Sequence, residues 1–479
     1  MKVYNTLHKQ KEDFVPVEPG KVKLYVCGPT TYNYIHLGNA RPIVAFDIIR
    51  RYFLYRGYEV TYVQNFTDVD DKIIKRAYEE NMEPSALAKK YIEAYFEDAD
   101  QLKVMRADIH PKVTEHMKEI IAMVRGIIEC GLAYEVDGDV YFSVRQFAGY
   151  GKLSGRSLDE LQAGARIAVG EQKHDPLDFA LWKAAKPGEP AWGSPWGKGR
   201  PGWHIECSAM STKYLGKTFD IHGGGADLIF PHHENEIAQS EGCNCVQSVN
   251  YWLHNGFITI NQEKMSKSLG NFFLLRDILK KYSGSVVRFY LMSTHYRSPL
   301  DFDDQKLTAA EKSLQRIWTT HRLIKEKINA LEKSPGSDGE GRNALRVLPE
   351  KTRESFIAAM DDDFNTSLAL AAIFDLCKEV NSLLNGKDFQ GGQETVAALQ
   401  GILSFFAELD AVFAVLIPQE DETDDLTEEL LRIIIELRGK ARVAKDWPTA
   451  DYIRDALKPL GIFIEDTPDG PRWKKEKRH

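Results

Sequence analysis

Residues 23–66 constrain the fold most, because the spacing of their apolar residues changes twice in one short stretch. KLYVC, ending at Cys27, is an apolar run of strand type. From Gly38 to Arg56 the residues Ile43, Phe46, Ile49 and Phe53 recur at helical spacing, and after Arg56-Gly57 the segment YEVTYVQNF is β-rich. Strand, crossover helix and strand predict a parallel sheet, whose ligands lie beyond the carboxyl ends of its strands. Cys27 and Thr67 both fall at that edge.

The pattern then breaks and resumes. Residues 115–200 read as an insertion: a helix, the turn-rich VDGDVYFSV, and a Gly/Pro/Trp-rich loop from Pro187 to Gly202. TFDIHGGGADLIF restores the sheet pattern as a strand followed by a glycine loop. Beyond about residue 305 the period is nearly all helical, interrupted by the loop KSPGSDGEGR. The acidic stretch 418–425, PQEDETDD, reads as a linker, and 426–479 as a last module with helices and a short strand at 461–464. A chain of 479 residues exceeds one core, so about two to four domains are expected.

Bulk properties narrow the class. Hydrophobic content of 43% and charged content of 28% are ordinary for a globular protein. The start MKVYNTLHKQKEDF lacks the apolar core of a secretory signal, and no apolar run approaches the ~18 residues that cross a bilayer. Six cysteines in so long a chain form no disulfide framework. A cytoplasmic protein without a membrane span is therefore expected. A net charge of −8 argues against whole-surface nucleic-acid binding and leaves local basic patches open. The ending Arg472-Trp473-Lys474-Lys475-Glu476-Lys477-Arg478 is one; taken alone it reads as a solvated tail.

Two constellations carry chemistry. In PHHENE, His232 and Glu236 stand at i and i+4, on one side of a helix. With Cys27 and Cys207 they offer two thiolates, an imidazole and a carboxylate, a donor set acceptable to zinc. Spacing leaves rivals: His233, the Cys243-x-Cys245 pair, and a Cys27 that merely packs at a strand end. The second constellation follows the first strand, PTTYNYIHLGN, opening the crossover helix. There the free N–H groups of a helix start suit a phosphate, and His36 and Asn39 add donors. Gly38 lets a ring or phosphate approach the backbone. Lys264-Met265-Ser266-Lys267-Ser268 supplies two lysines and two hydroxyls in a polar loop, and Gly225-x-Asp227 suits a ribose.

His36-Leu37-Gly38-Asn39 is similar to the His-Ile-Gly-His signature of class I aminoacyl-tRNA synthetases, and KMSKS stands unaltered. With CGPTTYNYIHLGNAR, GWHIECSAM, DIHGGGADLIFPHHENEIAQSE and EKMSKSLGN, the chain resembles the cysteinyl-tRNA synthetases over essentially its whole length. Asn39 departs from the signature's second histidine. Its amide still donates to phosphate but carries no charge.

The resemblance implies an α/β fold: a Rossmann-type catalytic domain over 1–114 and 201–305, its KMSKS and stem-contact region at about 240–305. A connective insertion (115–200), a helical anticodon-stem-binding domain (306–420) and a small α/β anticodon-binding module (426–479) complete it. It implies one Zn2+ at Cys27, Cys207, His232 and Glu236, choosing His232 over His233, and Mg2+ with ATP. Catalysis is expected of His36, Asn39, Lys264 and Lys267, and ATP contacts also of Thr30, Gly38, Asp227 and Ser266. Gly28, Thr67 and Trp203 are expected to line the cysteine pocket, although Trp203 reads nearly as well as a core aromatic. Arg454, Asp455, Asp466 and Trp473 match the family's terminal module, where Trp473 could stack a base. The expected partners are L-cysteine, ATP and tRNA(Cys), for a monomer. Rival readings are a ligase joining cysteine to an amino-sugar, of the mycothiol type, and a non-catalytic paralogue. Four protein ligands also pose a tension, because substrate binding needs an open position: the metal becomes five-coordinate or Glu236 loosens.

Overall fold

The computed structural model describes residues 1–160, 172–260, 263–264, 273–334, 336–339, 341–386, 389–418, 425–467 and 470–475. For 263–264, 425–429, 466–467, 470, 472 and 474–475 it describes the backbone alone. The chain divides into two compact units, residues 1–417 and 418–479.

In the first unit β1 (Lys21–Val26) leads through α1 (Leu37–Tyr55) to β2 (Glu59–Gln64). The two strands pair in parallel, Val22 opposite Val60 and Val26 opposite Gln64, which is the expected βαβ unit. α2 (Asp71–Glu80), capped by Asp70, follows, and then α3 (Met117–Glu129). Next comes a five-stranded antiparallel sheet of β3 (Ala133–Val136), β4 (Asp139–Phe142), β5 (Phe179–Ala184), β6 (Trp192–Ser194) and β7 (Gly197–Pro201), in the order β3-β4-β5-β7-β6. The loop expected from Pro187 to Gly202 is thus largely a hairpin. β7 is held by pairing with distant β5, Trp182 opposite Pro201, a partner that local composition does not reveal.

The parallel sheet resumes through α4 (Ile205–Leu215), β8 (Phe219–Gly225), α5 (Glu234–Asn244) and β9 (Val249–Asn255). Its order is β9-β8-β1-β2, all parallel. Winding reverses between β1 and β8, and the crevice beyond their carboxyl ends is where such sheets bind ligands. Gly223, Gly224 and Gly225, expected as a loop, complete β8 opposite Leu253, His254 and Asn255. They are glycines because the space beside them is taken: a Cβ on Gly223 would lie 2.2 Å from the Phe46 ring and one on Gly224 2.9 Å from the His233 ring.

Alternation along β1 serves two cores. Leu24 and Val26 join Phe46 and Phe53 of α1, whereas Tyr25 joins Ile120, Ile205, Met210 and Ile237 of α3, α4 and α5. The first core continues into α6 (Asp304–Lys333), α7 (Gly341–Asp361), α8 (Thr366–Leu384) and α9 (Gln393–Phe413) through Ile317, Phe356, Ile373 and Leu409. α9 corrects one expectation. It is long and apolar enough to cross a bilayer, with mean hydropathy 1.6 over its best window. Its Leu399, Ile402, Phe406 and Phe413 are buried in the helical core, which accounts for that apolarity.

The second unit holds α10 (Asp425–Val443), α11 (Trp447–Leu457) and the antiparallel hairpin β10 (Ile462–Thr467) and β11 (Gly470–Lys475). Arg472 to Lys475, read alone as solvated tail, belongs to β11, with Trp473 opposite Ile464. Trp473 packs on the small core of Leu431, Leu457 and Ile462.

Candidate active site

Cys27 leaves β1 with its N–H donating to the carbonyl of Gly223 in β8 at 3.3 Å, so its thiol hangs at the crevice. Gly28 follows, donating to Asn65 Oδ1 at 2.9 Å. A Cβ on Gly28 would stand 1.6 Å from the Asn65 carbonyl oxygen, so only glycine fits between the ends of β1 and β2. The turn after β1 is tied to the turn after β2: Thr31 N–H donates to the Thr67 carbonyl at 3.0 Å and Thr67 N–H to that of Pro29 at 3.3 Å. The buried Thr67 hydroxyl donates to Glu206 Oε2 at 3.0 Å.

Four donors converge here: Cys27, Cys207 in the first turn of α4, His232, and Glu236 in the first turn of α5. His232 does not share a regular helix with Glu236 as its spacing suggests. It stands in an irregular turn where Phe230 departs from helical dihedrals (φ −139°, ψ 132°). The two still meet, His232 Nε2 to Glu236 Oε1 at 2.9 Å. Cys27 Sγ lies 3.8 Å from Cys207 Sγ, 3.4 Å from His232 Nε2 and 3.4 Å from Glu236 Oε1. Zinc–sulfur bonds of about 2.3 Å at a tetrahedral angle place two sulfurs about 3.8 Å apart, so the spacing fits zinc.

A second set shares Cys27 and Glu236 and adds His222 and His233. His222 Nε2 and His233 Nε2 each lie 3.4 Å from Cys27 Sγ. Both histidines of PHHENE therefore reach the pocket. Their outer nitrogens are partnered in turn: His232 Nδ1 with His204 Nδ1 at 2.8 Å, and His233 Nδ1 with His254 Nε2 at 2.7 Å. Such outer partners fix ring orientation at metal sites.

Burial sets the charge states. Desolvation lowers His222 to about 4 and His254 to about 3, and pulls His204 and His233 well below the ordinary range. Desolvation also opposes charge on His232, yet Glu236 and Cys207 raise it to about 10. Cys207, hydrogen-bonded by Cys27, falls to about 7, while burial, first, and the Cys207 thiolate push Cys27 up. His222 and His233 are thus neutral, as metal-ligating imidazoles must be, whereas His232 and the Cys27 thiol would have to give up their protons to a divalent cation bound there.

Trp203, 42% exposed, is no core aromatic. Its ring lies 4.9 Å from that of His232 and borders a cavity of about 260 Å³ lined also by Asp70, Lys72, Arg200 and Glu206. Lys72 Nζ stands 5.7 Å from the Trp203 ring and 5.7 Å from that of Tyr32. On the other side of the crevice His36 caps α1. Its Nδ1 accepts the Asn39 N–H at 3.3 Å while Asn39 Oδ1 accepts the His36 N–H at 3.1 Å, a reciprocal capping box. With Nδ1 an acceptor, the neutral ring carries its proton on Nε2. Thr30 bridges to Thr67, Gly38 stands in the first turn of α1, and Asp227 is exposed just past β8.

Lys264 is placed only by its backbone, paired opposite Thr259, and Ser266 and Lys267 lie outside the described residues. In the second unit Arg454 is ion-paired to Asp451 at 3.1 Å and to Asp455 at 3.1 Å, and the Asp466 side chain lies outside the description. His204, His222, His254, Asn65 and Glu206 were not singled out from the sequence. His204, Glu206 and His222 stand in the motif strings GWHIECSAM and DIHGGGADLIF, which was the available signal.

A family model described as the class I (C) tRNA synthetase catalytic domain matches residues 13–312, and a DALR domain model matches 355–417. The cysteine–tRNA ligase of Desulforamulus reducens is 59% identical over 486 residues, covering 99% of this chain and 100% of the relative. That of Pelotomaculum thermopropionicum is 60% identical over 489 residues, with the same coverage of 99% and 100%. Among solved structures, Mycobacterium tuberculosis methionyl-tRNA synthetase in complex with methionyl-adenylate aligns with a TM-score of 0.59 at 16% identity, over 82% of this chain and 89% of that one. The LeuRS of Agrobacterium radiobacter, in a ternary complex with tRNA and LeuAMS, gives 0.59 at 12% identity over 84% and 85%. The fold is that of the class I synthetases, and the chain belongs to the cysteine–tRNA ligase family.

Proposed function

We propose that this chain activates L-cysteine with ATP and transfers it to tRNA(Cys), with Cys27, Cys207, His232 and Glu236 holding one Zn2+ against which the substrate thiol is chosen. The observation that carries the reading is the convergence of these four donors at the carboxyl edge of the sheet, facing the capped start of α1. Bound there, zinc supplies a soft Lewis acid that favours a thiolate over the hydroxyl of serine, a contrast that packing alone separates poorly.

The chain's own residues do the rest. Gly28 and Thr67 form the pocket floor, Glu206 fixes the Thr67 hydroxyl, and Trp203 closes one side. The cysteine carboxylate attacks the α-phosphate of ATP and pyrophosphate leaves; the terminal ribose hydroxyl of tRNA then takes the acyl group. Such transfer depends on positioning and charge stabilisation. His36 donates from Nε2 and the α1 N-terminus adds its N–H groups, while Asn39, Thr30, Gly38 and Asp227 contact ATP. Lys264 and Lys267, with Mg2+, would neutralise the phosphates, and the Ser266 hydroxyl would donate a hydrogen bond to them. Residues 306–420 and 426–479 read as tRNA supports, with Arg454, Asp455, Asp466 and Trp473 as candidate contacts, in a cytoplasmic monomer.

The test is cysteine-dependent ATP–pyrophosphate exchange with serine as competitor, then charging of purified tRNA(Cys). Cysteine-dependent exchange together with charging is expected. Exchange without charging would favour an amino-sugar acceptor, and absent exchange a non-catalytic role.

A further inference from the structure

Arg41, one turn into α1, is buried, yet among the described residues its hydrogen-bond partners are main-chain carbonyls and include no carboxylate. Its Nη1 donates to the carbonyls of Gly256 at 3.0 Å and Phe257 at 2.7 Å, and its Nη2 to those of His295 at 3.4 Å and Ser298. Burial lowers the guanidinium to about 10, so it stays charged at neutral pH. The four carbonyls belong to two segments. Gly256 and Phe257 follow β9 and lead into the strand Ile258–Ile260, in which Thr259 stands opposite Lys264. His295 and Ser298 lead into Leu300–Asp301, which pairs with that strand along its other edge. The segments lie so close that a Cβ on Gly256 would stand 2.6 Å from the carbonyl oxygens of Arg297 and Ser298. Phe273 and Leu275 are tied to α1 as well. The Leu37 N–H donates to the Phe273 carbonyl at 3.1 Å, and the Leu275 N–H to that of Ile35 at 3.0 Å. The chain on either side of Lys264 is thus fastened to the helix that His36 caps, and on the 256–260 side Arg41 is a fastening.

We propose that Arg41 is a positioning residue for ATP activation: it sets the strand that carries Lys264 against the start of α1, so that Lys264 and His36 act on the same phosphates. The inference rests on the phosphate roles proposed above for those two residues. A guanidinium suits the task because its planar fork gives one nitrogen to each segment, whereas a lysine ammonium is a single point. A purely structural arginine would affect stability alone. A positioning arginine affects activation per folded molecule, because a misplacement of ~1 Å at the reacting groups costs about 100-fold. Cys27, Cys207, His232 and Glu236 share none of these contacts, so the donor pocket is left as it is.

The experiment compares the full-length, zinc-loaded wild type with Arg41→Lys, Lys264→Ala and the double variant. ATP–pyrophosphate exchange is expressed per active site, counted by the cysteinyl-adenylate each enzyme holds once pyrophosphatase has removed the leaving group; Tm and zinc are measured alongside. Arg41→Lys keeps the cation and loses the fork. It should lower kcat about 10–100-fold with zinc content and the KM for cysteine unchanged, and Lys264→Ala should lower kcat comparably. In the double variant the Arg41 change should add less than ~3-fold, because no Lys264 is left to place. Gly256→Ala forces the same segments apart with Arg41 intact; it should repeat the loss of kcat, and it stands in if Arg41→Lys does not fold. An Arg41→Lys or Gly256→Ala enzyme with undiminished kcat per active site, or an Arg41→Lys loss that multiplies in full with that of Lys264→Ala, would overturn the proposal and leave Lys264 its role. Unchanged kcat in Lys264→Ala would remove that role, and the proposal with it.

Discussion

Along the edge of the parallel sheet, Cys207, His232 and Glu236 are 2–3% exposed, while His36 and Asn39 stay within reach of solvent. The donor pocket is supported in depth. His232 leans on His204, and His233 on His254, which is tied to the Thr6 hydroxyl at 2.8 Å. The nucleotide side has a reciprocal cap at the start of α1, beside which the Leu37 N–H donates to the Phe273 carbonyl at 3.1 Å. On the proposed reading, the groups that tell sulfur from oxygen are buried and dry, and those that meet and release a polyphosphate are left half-open. Selectivity needs fixed geometry, whereas turnover needs access.

The largest effect expected from breaking this contrast is at the pocket. Cys207→Ala removes one of two thiolates, and the remaining donors no longer complete the tetrahedron. Cysteine-dependent exchange should fall by more than ~100-fold, beyond what loss of outer partners usually costs, together with bound zinc. Metal analysis alongside exchange checks both; full zinc with unchanged cysteine preference over serine would sink the assignment. On the open side, His36→Asn keeps a good helix cap but removes the imidazole. Exchange at saturating cysteine should drop by about 100-fold while Tm stays put, because only the developing phosphate charge loses its donor. An unchanged kcat would take His36 out of the chemistry.

How the sequence disclosed these two sides differs for physical reasons. The βαβ unit was legible because helix and strand periods are local properties, and α1 lies within one residue of its apolar pattern. Glycines 223–225 misled because glycine signals loops locally, while here the Phe46 and His233 rings demand it at 223 and 224 within a strand. Cys27 and Cys207 are so far in the chain from each other and from the His232–Glu236 pair that spacing alone left rivals, and only the family resemblance named the set. His222 and His254 had no regular spacing to expose them. They approach the pocket because β8 and β9 align in register, with Gly224 opposite His254.

A pH experiment sharpens the contrast from behind the pocket. His110 Nε2 accepts the Ala107 N–H at 3.1 Å, and its Nδ1 donates to the carbonyl of Gln64, the last residue of β2, at 3.0 Å. The bond accepted by Nε2 needs the neutral ring, the one donated to Gln64 favours the charged ring, and burial outweighs the second and lowers the pKa to about 4. The unfolded chain takes up this proton near pH 6.5, before the native state does. The stability is therefore fully present above pH 6.5 and is lost as pH falls from there towards 4. The loss should reach about 3 kcal/mol, read by denaturant unfolding across that window. His110→Asn should make the profile shallower between pH 6.5 and 4 by that amount, the slope that remains belonging to the other buried histidines; an equally steep slope in the variant would take His110 out of the effect.

The smallest effect concerns Asn39, where this chain departs from the signature histidine. Its Oδ1 accepts the His36 N–H at 3.1 Å, so at least half of its amide serves the cap. Asn39→Ala should cost about 0.5–1 kcal/mol of stability, the worth of one partly exposed capping bond. The His36 ring then loses part of its orientation, and kcat for exchange should fall by no more than ~10-fold. A double-mutant cycle with His36→Asn separates the two roles open to the amide. If Asn39 acts through His36, its effect on kcat vanishes once the imidazole is gone, and the coupling exceeds about 0.5 kcal/mol. If the two effects simply add, the amide meets the phosphates on its own, and the nucleotide side has two independent donors where the cap suggests one positioned unit.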